Sequence, residues 1–481
     1  MTAIRRRQPT NGNVVPQRVH LVGAGGMHMS AIGEILLARG HVVTGSDLVT
    51  SEHTERLQEH GGTIYLGHAA ANVGRAELVV TTVAARDDNP ELRTARERGI
   101  PVMVRSEMVQ RLIADRDVLA IAGTHGKTTT TTFASLMAVQ SGLDPLVLSG
   151  GDSIDLGGNA RDGAGRIAVV EADEYAEAFL QYTPKFALVT NIEADHLDYY
   201  QTEERYKAAF RAFAERVTPD GTLFVCADAP EAAMLGRERR QAGTHVEFYG
   251  VETDTTKTPT EWRAANVRGN DRGGLDCVVQ LDGAELGRLA LQIPGRHNIA
   301  NALGALAMAM RAGADFRRAI QAAEQCRGAV RRFEHIADID LDGPDTTITL
   351  MDDYAHHPTE VRATLLAARQ RFPGRRLVAC FQPHTYSRSA YLLDGFKTCF
   401  EALDTLYILG TYAAREQPEA GLDAAGLARE ITSPPTVYLE TFEEAAERIS
   451  VDLRPGDVFF TIGAGTVNEL GPMLRAKLEA R

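Results

Sequence analysis

The chain has 481 residues, 44% of them apolar and 24% charged, and carries a formal net charge of -13. That length exceeds one ordinary core and predicts about three domains. The composition excludes a disordered or fibrous chain, and the acidic balance, with no long basic stripe, argues against a general binder of nucleic acid or of membrane surfaces. The five cysteines (226, 277, 326, 380, 399) are scattered without CxxC spacing and read as reduced thiols of a cytoplasmic protein. Arg5-Arg6-Arg7 begins a polar tail with no apolar segment after it, so neither a signal peptide nor a membrane anchor is expected.

Apolar segments alternate with amphipathic stretches of helical length, the pattern of α/β domains with mostly parallel sheets. The strand RVHLVG (18–23), a glycine turn, the helix SAIGEILLARG (30–40) and the strand HVVTGSD (41–47) make a mononucleotide-binding beginning. It continues through ELVVTT (77–82), and RLIADRD (111–117) reads as a polar crossing to the next block. That block opens with DVLAIAG and adds RIAVVEADE (166–174) and KFALVTNIEADH (185–196), two strands ending in acids. GNDRGG (269–274) is a turn before short strands, and NIANALGALAMAMRAG (298–313) is a helix with a broad apolar face. After RGAVRRFE (327–334) come TTITLMDDYAHHP (346–358), a proline-started helix PTEVRATLLAARQRF (358–372), and the strands RLVACF, TLYILG and DVFFTIG.

The run AIAGTHGKTTTT (120–131) carries the most chemistry. Glycines at 123 and 126 let backbone N–H groups turn inward toward phosphate, Lys127 can reach the β- and γ-phosphates, and the Thr128 hydroxyl can ligate magnesium. The strict GxxxxGK[ST] spacing fails, since Ile121 stands where the first glycine belongs, so the loop is a shortened variant. GAGGMHMS (23–30) is likewise a near miss of a dinucleotide fingerprint, with His28 in place of the last glycine. Asp47 closes the second strand where an acid commonly meets a ribose, and His68 and Thr82 close later strand ends, either as further lining of that crevice or as plain loop residues. Glu171 and His196, at or after strand ends, are candidates to face a cation, Glu171 the better match to the oxygen preference of Mg²⁺. His297, Asn298 and Asn301 start a helix with carboxamides suited to a base edge, or with an ordinary N-cap. In FQPHTYSRS (381–389), His384 and Arg388 offer themselves to anions, Arg388 with bidentate geometry.

Taken in order, GTHGKTTTT, EADE, TNIEADHLDYY, PGRHNIANAL, RRFE, DDYAHHPTE and FQPHTYSRS closely resemble the Mur ligase family, and the alanine-adding branch most. The resemblance runs from HLVGAGGMHMS to GAGTVNEL (463–470). It implies an α/β chain of three domains: after a flexible tail (1–17), a Rossmann-like UDP-substrate domain (18–113), a central P-loop ATPase-type domain (114–328), and a Rossmann-like C-terminal domain (329–481) that closes over ATP and the amino acid. It also implies a reaction in peptidoglycan precursor synthesis: ATP phosphorylates the lactyl carboxylate of UDP-N-acetylmuramate, and the amine of L-alanine attacks the acyl phosphate. The cofactors implied are ATP and Mg²⁺, the partners are small molecules, and the assembly expected is a monomer or weak dimer.

By the same resemblance, Gly123, Thr124, His125, Gly126, Lys127, Thr128 and Thr129 hold the triphosphate, and Thr128 and Glu171 hold one metal ion. Glu171 and His196 hold a second. His297 and Asn298 meet adenine, Asp353 or its neighbour Asp352 meets ribose, and Arg332 meets the γ-phosphate. Gly23, Gly25, Gly26, Met27, Ser46, Asp47, His68 and Thr82 receive the UDP substrate, and His384 and Arg388 embrace alanine and the intermediate. Sibling ligases carry a carbamylated lysine where this chain has Phe210, a departure that favours the alanine-adding branch. Tyr175-Ala176-Glu177-Ala178 replaces a Ser-Asp pair common in the family, so no substrate contact is carried over to that loop. Competing readings are a ligase that attaches an intact tripeptide to the same sugar nucleotide, a nicotinamide dehydrogenase read from the first block alone, and a regulatory ATPase.

Overall fold

The computed structural model describes residues 14–83, 85–253, 258, 260–341, 346–414, 416–417 and 421–480. The Arg5-Arg6-Arg7 segment and most of the expected tail lie outside them. In chain order the elements are β1 Arg18–Val22, α1 Met27–Ala38, β2 Val42–Asp47, α2 Glu52–Glu59, β3 Thr63–Leu66, β4 Leu78–Thr81, α3 Pro90–Glu97, β5 Val102–Val104 and α4 Arg105–Ile113. There follow β6 Asp117–Ala122, α5 Lys127–Gln140, β7 Leu146–Ser153, β8 Gly158–Asp162, β9 Ile167–Glu171, β10 Phe186–Val189, α6 Leu197–Tyr200, α7 Glu203–Glu215, β11 Thr222–Cys226, α8 Pro230–Gln241 and β12 Val246–Val251. Next come β13 Trp262–Gly269, β14 Leu275–Leu281, β15 Ala284–Ala290, α9 Arg296–Arg311 and α10 Phe316–Gln325. The last stretch holds β16 Glu334–Ile339, β17 Ile348–Asp353, α11 Pro358–Arg371, β18 Leu377–Phe381, α12 Tyr386–Tyr391, α13 Leu393–Cys399, β19 Thr405–Leu409, α14 Ala424–Glu430, β20 Thr436–Leu439, α15 Phe442–Asp452, β21 Val458–Ile462 and α16 Leu470–Glu479.

The chain forms two compact units, one of Met1–Ala264, Val279–Gly287 and Ala300–Ala323, the other of Ala265–Val278, Arg288–Ile299 and Glu324–Arg481. The first unit contains a five-stranded sheet in the order β3-β2-β1-β4-β5, parallel throughout. β1 sits between β2 and β4, so the strand order reverses there and opens a crevice at the C-terminal strand ends. Alternation along β1 sorts its side chains. Val19 and Leu21 join the core that includes Ile32, Ile35 and Leu36 of α1, whereas Val22 joins Val73, Val79, Leu92 and Ala95 under α3.

A ten-stranded sheet has the order β15-β14-β13-β12-β11-β10-β6-β9-β7-β8, and β6 through β12 lie wholly in the first unit. β6 pairs in parallel with both β10 and β9, which makes a second reversal point at its C-terminal end. In the second unit the sheet order is β16-β17-β21-β18-β19-β20. There β16 runs antiparallel to β17, while β17, β21, β18, β19 and β20 pair in parallel, each with the next.

The expected polar crossing at 111–117 is a difference. Its first half is the end of α4, whose Val109, Leu112 and Ile113 are buried, because apolar residues three and four apart gave this stretch a core-facing side. The strand expected over 185–196 ends at Val189, and Asn191 to Asp195 form a loop wrapped around the glycine turn after β6. Among the described residues no helix is long and apolar enough to cross a membrane.

Candidate functional site

At the end of β6 the chain turns through residues 123–126 into α5, and both glycines are sterically required. Gly123 has φ +141°, and a Cβ there would lie 1.9 Å from Thr190 Oγ1; Gly126 has φ +79°, and its Cβ would lie 2.7 Å from Asn301 Oδ1. Neighbouring side chains stitch the turn in place. Asn191 Oδ1 accepts from the His125 amide at 2.9 Å, while the His125 carbonyl accepts from Thr190 Oγ1 at 2.6 Å and Asn191 Nδ2 at 3.0 Å. Thr124 Oγ1 donates to the Glu193 carbonyl at 3.0 Å, accepts from the Glu193 amide at 2.9 Å, and lies 2.9 Å from the Tyr206 hydroxyl. The α5 N-terminus has no side-chain cap hydrogen bond, and Thr128 and Thr129 in its first turn are buried.

Lys127 Nζ donates to the carbonyls of Gly123 (2.6 Å) and Thr124 (3.0 Å) and pairs with Glu174 Oε2 at 2.8 Å. Burial alone would lower the pKa of this ammonium, but Glu174, Asp173 and Glu171 more than offset that and raise it. Glu174 is buried, with Tyr206 OH 3.4 Å from its carboxylate and Tyr200 OH donating to its backbone carbonyl. Sequence alone counts Glu174 among the strand-end acids that can face a cation, and misses its pairing with Lys127.

Glu171 ends β9. Its Oε1 accepts from Thr128 Oγ1 at 3.1 Å and its Oε2 from the Gly150 amide at 2.8 Å, and any side chain at Gly150 would collide with this carboxylate. His196, in a left-handed conformation at the start of α6, has Nε2 3.6 Å from Glu174 Oε1 and packs edge-on against Tyr175 at 5.1 Å. Thus Thr128 meets Glu171, and Lys127 and His196 meet at Glu174. In the Tyr175–Ala178 loop, Ala176 and Glu177 both have positive φ. Phe210 is core, packed on Phe179 at 5.3 Å and Tyr206 at 5.2 Å.

The glycine turn after β1 is pinned in the same manner. Gly23 N and Ala24 N both donate to the Ser46 carbonyl at 2.9 Å, and Gly26 N donates back to Gly23 O at 3.1 Å. Asp47 takes the Gly25 amide at 2.8 Å on one oxygen and the Leu48 amide at 2.7 Å on the other, leaving each oxygen a lone pair for a hydroxyl. A Cβ on Gly23 would lie 3.0 Å from Thr82 Cγ2, so Thr82 borders the turn, and the Met27 carbonyl accepts from Asn159 Nδ2 at 2.6 Å. Further ties join these segments of the first unit: Arg105 to Asp173 at 2.9 Å, Arg56 to Asp152 at 2.9 Å and Arg39 to Asp162 at 2.8 Å. Beside Arg105, His28 has a buried Nε2 without a hydrogen-bond partner among the described residues, and burial together with the Arg105 charge pushes its pKa down to about 3.

In the second unit, Asn298 Nδ2 donates to Pro294 O at 2.7 Å, and His297 has Glu360 and Arg332 as its charged neighbours. Arg332 lies over the Tyr354 ring at 5.1 Å and 3.6 Å from Glu360. Asp353 is buried; its oxygens accept the Phe333 and Ala355 amides, both at 2.8 Å, and burial pushes its carboxyl up to about 6. Asp352 pairs with Arg331 at 2.8 Å. His384 Nδ1 lies 2.9 Å from Arg388 Nη1 and its ring stacks on Tyr412 at 5.5 Å. Sequence reasoning gives no role to Tyr354, which anchors the cations, and misses Tyr412; neither belongs to a phosphate-loop or fingerprint pattern.

A shortened phosphate-type loop with Thr128 against Glu171, a second glycine turn at a parallel-sheet reversal, and a histidine–arginine pair after β18 of the third sheet are the features of a nucleotide-binding α/β enzyme. Three family models match in order: "Mur ligase family, catalytic domain" over residues 18–117, "Mur ligase middle domain" over 121–309, and "Mur ligase, glutamate ligase domain" over 331–465. The chain belongs to the Mur ligase family. It is 42% identical over 474 residues to the UDP-N-acetylmuramate--L-alanine ligase of Symbiobacterium thermophilum, covering 97% of this chain and 95% of the relative. It is 41% identical over 477 residues to the enzyme of that name from Mycobacterium avium, covering 97% and 96%. Among solved structures, the UDP-N-acetylmuramate-alanine ligase MurC from Thermotoga maritima matches with TM-score 0.79 and 28% identity, over 96% of this chain and 99% of that one. A murein peptide ligase from Psychrobacter arcticus shares the fold, with TM-score 0.70 at 23% identity over 97% and 99%.

Proposed function

We propose that this chain is an ATP-dependent ligase that joins L-alanine to the lactyl carboxylate of UDP-N-acetylmuramate through an acyl phosphate, in cytoplasmic synthesis of peptidoglycan precursors. The observation that carries the reading is the 42% identity, over nearly the full length of both chains, to a ligase named for those two substrates. The site supports it. A carboxylate is a poor acyl donor, and phosphorylation supplies a leaving group; phosphoryl transfer between two anions needs cations and N–H groups concentrated where they meet.

In this reading the turn from Gly123 to Gly126, with Lys127, Thr128 and Thr129, receives the triphosphate. The donor set fits magnesium, because Thr128 and Glu171 offer hard oxygens 3.1 Å apart. Thr128 and Glu171 would hold one ion, and Glu171 with His196 a second; when bound, magnesium draws negative charge off phosphate oxygens. Lys127 exchanges Glu174 for phosphate oxygens. Asn298 and His297 serve adenine, Asp353 or Asp352 the ribose, and Arg332 the γ-phosphate. Gly23, Gly25, Gly26 and Met27 face the diphosphate of the sugar nucleotide, with Ser46, Asp47, His68 and Thr82 around its nucleoside. His384 and Arg388 orient alanine so that its amine attacks the acyl carbon; the C–N bond forms, the C–O bond to phosphate breaks, and the amine proton leaves to solvent.

Phosphate release assayed with ATP, UDP-N-acetylmuramate and L-alanine tests this. Release that needs both the sugar nucleotide and alanine is the expected result. Release with an intact tripeptide in place of alanine, or with neither acceptor, overturns it in favour of a recycling ligase or a regulatory ATPase.

A further inference from the structure

A polar cluster lies buried beneath α3, on the face of the first sheet away from α1. Glu91, the second residue of α3, is wholly buried, and five groups converge on its carboxylate. Ser46 Oγ donates to Oε2 at 2.6 Å, Asn72 Nδ2 to Oε1 at 2.7 Å and the Ala69 amide to Oε1 at 3.3 Å. His68 Nδ1 lies 3.2 Å and His20 Nε2 3.5 Å from Oε2. Burial alone would raise this carboxyl, but His20, Ser46 and Asn72 hold it down at about 2. A buried ion is a poor way to fill a core, since apolar residues of similar volume serve stability as well or better. The arrangement therefore calls for a role beyond packing.

A carboxylate only accepts hydrogen bonds, so its charge sets the polarity of each contact around it. The Ser46 hydroxyl proton goes to Glu91. Ser46 Oγ then accepts from His68 Nδ1, 2.9 Å away, which also faces Glu91 Oε2. Both partners demand a proton on Nδ1. A neutral imidazole protonated there leaves Nε2 a bare acceptor. The His68 side chain keeps 20% of its surface exposed, and among the described residues its Nε2 has no partner.

We propose that Glu91 is a positioning residue that fixes His68 as the Nδ1–H tautomer, so that Nε2 accepts a hydrogen bond from the imide N–H of a uracil base. The inference rests on the reading of His68 as part of the uridine-nucleotide site. It adds a selectivity rule: cytosine carries a lone pair where uracil carries that N–H, and two lone pairs facing each other repel. An apolar pocket would have little means of telling the two bases apart, whereas a fixed acceptor rejects the wrong one.

Long-range ¹H–¹⁵N correlation spectra of the full-length protein with labelled histidine read the tautomer without any mutation. Protonated Nδ1 with bare Nε2 on His68 is expected; the opposite tautomer, or a doubly protonated ring at neutral pH, overturns the proposal. In kinetics, Glu91→Gln is expected to raise KM for the UDP substrate by about tenfold, one hydrogen bond's worth, with kcat and KM for ATP within about twofold. His68→Ala should raise the same KM, and the double variant should be no worse than His68→Ala, because both act through one contact. Additive losses overturn the proposal, as does a raised KM in His68→Ala with none in Glu91→Gln. An unchanged KM in His68→Ala instead removes the reading of the uridine site itself. Preference for UMP over CMP as competitive inhibitors should narrow in Glu91→Gln, and thermal melts establish that each variant is folded; where Glu91→Gln is not, the tautomer decides alone.

Discussion

Lys127 does not rest as a loose cation. It is held by two loop carbonyls and by Glu174, a buried acid that also draws in His196. Substituting Lys127→Ala should lower phosphate release by about 10²–10³-fold, the effect of removing one preorganised charge donor. Binding of the UDP substrate should stay nearly intact, measured by calorimetry. Glu174→Gln leaves the lysine without its anion in a largely desolvated place, and should cost about 2 kcal/mol in urea unfolding, discounted from a fully buried pair because Lys127 keeps 16% of its surface. The sign with pH follows from the raised Lys127 value: the contribution is whole below the ordinary lysine range and disappears as pH rises through the folded value, so wild type and Glu174→Gln should converge only at strongly alkaline pH. Lys127, Thr128 and Glu171 were legible in the sequence because their chemistry is tied to a local pattern. Glu174 was not, since its partner stands 47 positions away and only the pairing of β6 with β9 brings the two together.

Elements were legible where periodicity and capping agreed. The helix begun by Pro358 was expected over 358–372 and runs Pro358–Arg371, with Pro at its first position and Glu360 closing a capping box. Boundaries drifted where a loop is fixed by distant side chains. KFALVTNIEADH reads as one strand, yet it stops at Val189 because Thr190, Asn191 and Glu193 spend their hydrogen bonds on the turn after β6. The start of α3 offers a test at this scale. Glu91 is held ionised down to about 2 against an ordinary 4.5, so its contribution is fully present above pH 4.5 and is lost as pH falls toward 2. Urea unfolding should show wild type losing about 3 kcal/mol over that window from this group, and Glu91→Gln lacking that portion of the slope.

Across the whole molecule, the alternation of strands and helices made the parallel α/β class readable, and the joint order of motifs made the family readable where no single motif was specific. The five cysteines read as reduced thiols, and all five are buried and free. Burial pushes Cys226 and Cys277 up to about 12, which leaves little thiolate at neutral pH. The native protein should therefore react slowly, if at all, with a thiol-specific colorimetric reagent, and release all five equivalents after denaturation; rapid reaction of even one in the folded state contradicts this burial. The ties of Arg39, Arg56 and Arg105 to Asp162, Asp152 and Asp173, and of Asn159 to the Met27 carbonyl, have a consequence for anyone who would dissect the molecule. A fragment cut after α4 would be left with Arg39 and Arg105 stripped of their carboxylates, Arg56 with Glu34 alone, and an unsupported helix start. The first-sheet module is, in that sense, grafted onto its neighbour, and its excision as an independent fragment would first require those cations to be redesigned.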